Sequence, residues 1–351
     1  VRPRALFIGF VALLAAALPV RAARACTTVC LGDETRPVVA YNYDFDPQEG
    51  LVLVNKRGAI RTSRVDPGGL TWTALYGSVT FNQFGRDNPT TGINEKGLMV
   101  SLMWLDGTEY PPADRRPALT ILEWIQHNLD TCASIDEVVA SIATVRPTGT
   151  TPIHYLFADA AGDAAVVEFL AGRPVVHRGA TLPVRALANS TYAESVRAFQ
   201  SARARGNVPS TGASLDRFVR GALLAGAAGD PIARGFAVLA SVANPGRTRW
   251  SIVYDLAARV VRFRTDTNTA VRRVTLGRLD FSCRTPVAML DVTAPGSGDV
   301  TAGFRDYTSA ANRALVDAAF RRTPFLAARP ESERAAVAAH PDVTSSCAAA
   351  D

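Results

Sequence analysis

The sequence lacks the spacings that hold metal ions. It has no CxxC and no HExxH, and its four histidines (127, 154, 177 and 340) stand far apart. Neither a metal nor a cofactor is called for. No internal repeat is visible and no strong linker interrupts the chain before residue 283. After residue 25 no apolar run approaches the roughly 18 residues that a membrane helix requires. A basic stripe is missing too, since the arginines are scattered. Four of them (2, 4, 21 and 24) belong to a leader-like segment without acids, and removing it lowers the formal charge from +6 to +2. No nucleic-acid partner is indicated.

What the chain does have begins at that leader. Arg2 and Arg4 precede an apolar stretch from Ala5 to Val20, and Ala23-Arg24-Ala25 supplies the small residues that signal peptidase reads. The expectation is a signal peptide over 1–25 and a secreted or periplasmic product, soluble and free of the membrane after the cut. Five cysteines follow, at 26, 30, 132, 283 and 347. In an oxidising compartment an odd number leaves at least one thiol unpaired.

Residue patterns predict β-structure first. "CTTVCL" and "RPVVAYNYDF" read as a hairpin across "GDET", and "GLVLVNKRG", "TWTALYGS" and "KGLMVSLMWL" continue the strand character. Helices are expected near 118–129 and 135–143, the second entered through a Ser134-x-x-Glu137 capping box. "IHYLFADAAGDAAVVEFLAGRPVVHRG" reads as three strands turning at Gly162-Asp163 and Gly172. Helices near 191–204, 214–225 and 231–240 come next, followed by a hairpin around Asp255-Leu256. Beyond 283 the composition loosens, with two more helices near 307–320 and 331–339. Strands and helices in blocks, rather than in single alternation, argue for an α+β class with antiparallel sheets.

Cys26, directly behind the expected cut, has three readings. A lipid anchor would want an aliphatic residue at −3 and a small one at −2, where Ala23 and Arg24 stand. A disulfide with Cys30 would join neighbours on one strand face, which stand too far apart for an unstrained bridge. In the third reading the cut is an activation step. A freed α-amine, with pKa about 7.7–8.0, would adjoin a thiol of pKa about 8.5, so one residue supplies base and nucleophile. Residue chemistry alone leaves these readings open.

Several segments in order carry a resemblance from Cys26 to about Ser282: "CTT", "YNYDFD", "TGINEKGLMVSLMW", "IHYLFADAAGDAAVVEF", "LANS", "DRFVRG" and "RLDFS". Together they resemble the choloylglycine hydrolase and penicillin V acylase family of N-terminal-nucleophile cysteine hydrolases. The resemblance implies a four-layer αββα fold with two stacked antiparallel sheets over 26–283, followed by a C-terminal extension over 284–351 packed on the core. It also implies roles. Cys26 would be the nucleophile with its own amine as base, and Asp44 would orient them, with Asn42 on the same strand face. Asn189 would donate its amide to the oxyanion, with the Trp104 backbone N–H as second donor. Losing one such donor costs about 10²–10³ in rate. Arg217 would support the nucleophile electrostatically, while Arg220 suits a helix surface.

Each role has a plainer rival: a hairpin aspartate for Asp44, a turn residue for Asn189, a surface arginine for Arg217 and core packing for Trp104. Asn94 is expected to hold a turn with Gly92 and Gly97, and Glu95 and Lys96 to be exposed turn charges. Cys30 and Cys132 are expected to pack as thiols, and Cys283 to pair with Cys347, tying the extension back in an exported protein. Tyr41 stands where many family members carry arginine, and a phenol depresses a thiol pKa less than a cation does. Trp104 favours an aromatic or long acyl group over a polar steroid conjugate. The implied activity is hydrolysis of a linear, non-peptide amide in an N-acylated small molecule through a thioester. Penicillin V, N-acyl homoserine lactones and N-acyl amino acids are the expected substrate types. A bile-salt hydrolase, or a catalytically weakened binding protein on the same fold, is the alternative. Family members often assemble as tetramers, so a homo-oligomer is expected.

Overall fold

Runs of β-branched and aromatic residues place β1 (Thr27–Leu31) and β2 (Val38–Asp44) side by side as an antiparallel hairpin. The structure is a computed structural model that describes residues 26–347; the expected signal peptide lies outside the described residues. β1 and β2 belong to a seven-stranded sheet. Its order is Ala186–Leu187, β1, β2, Thr248–Asp255, Val260–Thr265, Arg272–Thr275 and Gly298–Asp299, with only the last pair parallel.

A second, nine-stranded antiparallel sheet lies against the first. Its order begins Arg173–Arg178, Ala164–Leu170, Ile153–Ala158, Met99–Trp104, Pro89–Asn94 and Ser78–Asn82. β3 (Leu51–Asn55), Ala288–Asp291 and Arg305–Asp306 complete it. Between the sheets, Val52, Val54, Val79 and Phe81 pack with Trp250 and Phe263. A few polar pairs pin the layers: Thr28 Oγ1 meets Ser101 Oγ at 2.9 Å, and the Tyr41 hydroxyl donates to the Leu102 carbonyl at 2.9 Å.

Helices cover both outer faces. α1 (Ile121–Thr131) and α2 (Ile135–Ser141) lie on the nine-stranded sheet, where Trp124, Leu129 and Val138 pack with Val100, Tyr155 and Phe169. Gly92 permits that approach, because a Cβ there would stand 2.9 Å from Leu129. α3 (Tyr192–Ala204), α4 (Ser214–Ala225) and α5 (Pro231–Ser241) form the layer on the seven-stranded sheet. The result is the expected α+β, four-layer αββα stack. No helix among the described residues is long and apolar enough to cross a membrane.

Three local differences have physical causes. The first helix starts at Ile121, not Ala118, because Ala118–Thr120 pairs with Arg146–Thr148 and Thr120 then caps the helix. Thr120 Oγ1 accepts from Glu123 N at 3.3 Å while Glu123 accepts from Thr120 N at 2.9 Å. Thr120→Ala is therefore expected to cost about 1 kcal/mol, read as a lowered urea midpoint that Thr120→Ser restores. At α2 the Ser134 hydroxyl does accept from Glu137 N, but the Glu137 carboxylate takes Ala133 N and leaves the box half-made. Glu95, expected to be exposed, is half-buried and accepts from Arg57 and from Gly77 N.

The segment beyond 283 is built into the fold more deeply than its composition suggests. It supplies two strands of the nine-stranded sheet, and α6 (Ser309–Arg322) and α7 (Glu331–Thr344) join the outer helical layer. Leu315 of α6 packs on Leu51, Leu53 and Met289. A disulfide joins Cys283 to Cys347. Cys30 and Cys132 are free thiols, half-buried and buried.

Candidate active site

The site forms where β1 and β2 meet at one end of the sheet sandwich. Period-two alternation puts Thr27 and Asn42 on the face toward the helices. Cys26 stands just ahead of β1, and Asp44 is the last residue of β2. Pairing between β2 and Thr248–Asp255 slips between Thr248 and Trp250, an irregularity of the kind that re-aims side chains near active sites.

Cys26 is 4% exposed. Its Sγ accepts from the Asp44 backbone N–H at 3.5 Å. Burial, reinforced by the Asp44 charge, pushes the thiol up to about 12, against which Asp44 N–H, the Tyr41 hydroxyl and Arg217 pull weakly. A thiol in that state is protonated at neutral pH and needs a base before it can attack. Asp44 is buried as well, and burial raises its carboxyl to about 6 against hydrogen bonds from Thr248 and Asn244 and the charge of Arg217. Asn244 Nδ2 donates to Asp44 Oδ2 at 2.7 Å, whereas Oδ1 is buried without a hydrogen-bond partner among the described residues.

Arg217 is the hub, on the first turn of α4 and 1% exposed. It donates to the Cys26 carbonyl at 2.8 Å, to Thr27 Oγ1, to Asn189 Oδ1 at 2.8 Å and to the Gly212 carbonyl at 3.0 Å. The guanidinium fork can hold such a fan of acceptors where a lysine could not. Asn189 passes the constraint on, since its Nδ2 donates to the Trp104 carbonyl at 2.8 Å. An amide nitrogen carries two hydrogens, so one remains to serve a substrate oxygen. A buried pair stands behind Asn189: His154 Nε2 lies 2.8 Å from the Ala188 carbonyl and its Nδ1 3.1 Å from Glu168.

The structure thus brings Cys26, Tyr41, Asp44, Trp104, Asn189 and Arg217 together. Asn42 is the correction. Its side chain faces the helical layer, donating to the Leu239 carbonyl at 2.8 Å and accepting from Ser251 Oγ, so it ties α5 to the sheet and does not line the pocket. Asn42 shares its strand face with Asp44, but it lies two residues back under α5, and of the two only Asp44, at the strand end, reaches the cleft. Arg220 donates to the Ser241, Pro209 and Thr211 carbonyls, clamping loops rather than decorating a surface. Asn94 holds its turn, accepting from Lys96 N and Leu98 N.

Beside Cys26 opens a cleft of about 620 Å³, counting its mouth. Its walls are largely apolar: Tyr43 at the end of β2 and Phe45 just past it, Phe84 from the turn after Ser78–Asn82, Leu102 and Trp104 from the second sheet, and Ile121 and Leu122 from α1. Phe325 and Leu326, from the turn after α6, close the far side. Trp104 is a pocket residue rather than core filling, held by its indole N–H on Asp106 at 2.8 Å. Of the walls that sequence reasoning missed, Phe45 sat unread beside the Asp44 motif; Phe325 and Leu326 had no local signal. Asn244 and Thr248 were missed because only the bulge brings them to Asp44.

A two-sheet sandwich between helical layers, with a buried cysteine at the head of its first strand, defines the N-terminal-nucleophile hydrolase architecture. The chain belongs to the linear amide C-N hydrolases of the choloylglycine hydrolase family, whose family model matches residues 26–232. Over 207 residues it is 31% identical to a penicillin V acylase of Pectobacterium atrosepticum, covering 52% of this chain. That match covers 54% of the relative, so the chain spans about half the length of the curated relative it matches. A solved penicillin V acylase from Agrobacterium tumefaciens superposes with a TM-score of 0.72 at 28% identity, over 81% of this chain and 98% of that one. A variant of the conjugated bile acid hydrolase from Clostridium perfringens shares the fold, with a TM-score of 0.67 at 15% identity, over 78% and 99% of the two chains.

Proposed function

We propose that the protein is an exported acylase that hydrolyses the amide bond of an N-acylated small molecule, with Cys26 exposed by cleavage after Ala25. The observation that carries this reading is the buried Asp44 Oδ1, which has no hydrogen-bond partner among the described residues and lies beside the Cys26 thiol. A buried carboxylate oxygen is costly unless paired. The ammonium form of a freed Cys26 α-amine supplies the missing charge, and Asp44 in turn orients that amine.

In this mechanism the neutral α-amine takes the thiol proton as sulfur attacks the substrate carbonyl. The oxyanion is met by Asn189 Nδ2–H, with the Trp104 N–H as second donor. Collapse breaks the C–N bond, and the ammonium returns its proton to the leaving amine. Water, deprotonated by the same amine, then cleaves the thioester, releasing the acid and the free thiol. Arg217 neither gives nor takes a proton; it holds Cys26, Thr27 and Asn189 in register. Tyr41 takes the place of the arginine seen in many relatives and supplies a hydroxyl rather than a charge, so a base is needed all the more.

The cleft's apolar walls suit an aromatic or long acyl group such as those of penicillin V, N-acyl homoserine lactones or N-acyl amino acids. A steroid conjugate rich in hydroxyls would leave polar groups unpaired there. Two measurements test the reading. Mass spectrometry of active protein is expected to show Cys26 as an unmodified N-terminus, and quenching during turnover to trap one acyl group on Cys26. A lipid or acyl group on the Cys26 amine would end the free-amine mechanism.

A further inference from the structure

The family match ends at residue 232, yet the cleft beside Cys26 is completed by Phe325 and Leu326. Phe325 is an exposed large apolar residue, 41% accessible, whose ring centroid lies 5.9 Å from that of Trp104 across the cleft. Such a residue aimed at another aromatic over a nucleophile is well placed to contact a ligand.

The turn that carries it is firmly mounted. Leu326 N and Ala327 N both donate to the Thr323 carbonyl, at 2.8 and 2.9 Å. Behind it, Val316 and Phe320 of α6 pack with Ala338 of α7 and with Phe84, another cleft wall. Asn312 bridges the same units, accepting from Arg86 N at 2.8 Å and donating to the Ala338 carbonyl at 2.8 Å. Asp317 pairs with Arg313 of its own helix and with Arg334 of α7. α7 leads to Cys347 and thus to the disulfide with Cys283. A wall held on rigid elements can discriminate shape, which a loose flap cannot.

We propose that the Phe325–Leu326 turn is a specificity-determining wall of the acyl site, which takes the distal carbons of a long alkyl or aryl acyl group. Short acyl groups end before reaching it. The inference rests on the acylase reading, and its test separates the two. Chromogenic p-nitroanilides with acyl chains from acetyl to dodecanoyl are compared on wild type, Phe325→Ala and Leu326→Ala. The ratio of kcat/KM for long over short chains is expected to fall about 10-fold or more, mostly through KM, by the usual cost of lost apolar contact. Phe325→Leu should recover much of the ratio. Loss spread equally over all chain lengths, or an unchanged ratio, overturns the proposal while leaving the acylase reading intact. Should wild type and Cys26→Ala be equally inactive, the acylase reading fails, and calorimetry of decanoate binding to the wild-type chain still decides. About 10-fold weaker binding by Phe325→Ala supports the wall, and equal binding overturns it.

Discussion

Replacing Cys26 with alanine is expected to lower N-acyl amide hydrolysis about 10⁴-fold or more, to the uncatalysed background. Among the described residues no second nucleophile lines the apolar cleft in a position to be activated. Its other side chains with a hydroxyl or carboxyl are Tyr43, Asp44, Thr90 and Thr151. The Tyr43 hydroxyl donates to the Gln83 side-chain oxygen, and neither threonine has a base among its described hydrogen bonds. Cys26→Ala keeps the α-amine, so it removes the sulfur alone. Cys26→Ser keeps amine and geometry but offers a poorer nucleophile, and is expected to fall between wild type and alanine. Because the hydrogen bonds of Sγ to Asp44 are long, 3.5 Å from its N–H and 3.9 Å to its carbonyl, and replacement by serine or alanine removes little volume, neither variant should move the unfolding midpoint greatly. Equal turnover of a broad amide panel by wild type and Cys26→Ala would remove catalysis from this site and leave a binding protein on a hydrolase fold.

The reason so much of this site could be read in advance lies in where its parts sit. Cys26, Asp44, Asn189 and Arg217 stand at strand ends and a helix start, places where backbone pattern fixes direction. Asn42 shows the limit of that logic: alternation says which residues share a face, but not how far along that face the cleft extends. α5 covers the face at Asn42, which donates to the Leu239 carbonyl, and leaves it open only at Asp44. The partners of Asp44 were hidden for a different reason, since Thr248 and Asn244 reach it through a slip in register that periodicity cannot announce. The cleft's far wall was hidden by composition. Residues 284–347 look loose in Pro, Gly, Ser and Ala, yet β3 carries Leu51 and Leu53 on its outer face and requires a cover, which Met289 and α6 provide. Long-range burial of this kind leaves its trace on the partner strand, far from the segment that satisfies it.

Asp44→Asn is expected to separate stability from activity. The signs follow from the raised folded-state carboxyl. An unfolded chain ionises Asp44 near 4, the folded one only at about 6, so stability present below pH 4 is lost as pH rises from 4 to 6. At pH 7 the buried charge costs up to about 3 kcal/mol, which an isosteric amide avoids while still accepting from Asn244. Activity runs the opposite way. The base is the neutral amine, so wild-type turnover should be lost as pH falls through the pKa of that amine, about 7.7–8.0 in a free chain and raised by an ionised Asp44 beside it. Asp44→Asn should lose about 10²–10⁴ in kcat, because the amine is no longer oriented, and should move this acid limb to lower pH. The decisive comparison adds a second change, a short uncleaved extension ahead of Cys26 that acylates its nitrogen. In the extended chain Asp44 has no cation at the amine position, and Asp44→Asn should stabilise by nearly the full amount. In the cleaved chain the ammonium meets Oδ1, and the gain should shrink or reverse. The difference between the two urea-unfolding measurements is the coupling between amine and carboxylate. If the two forms respond to Asp44→Asn identically, the cut after Ala25 does not supply the partner of Asp44, and the buried carboxylate must be paired from elsewhere.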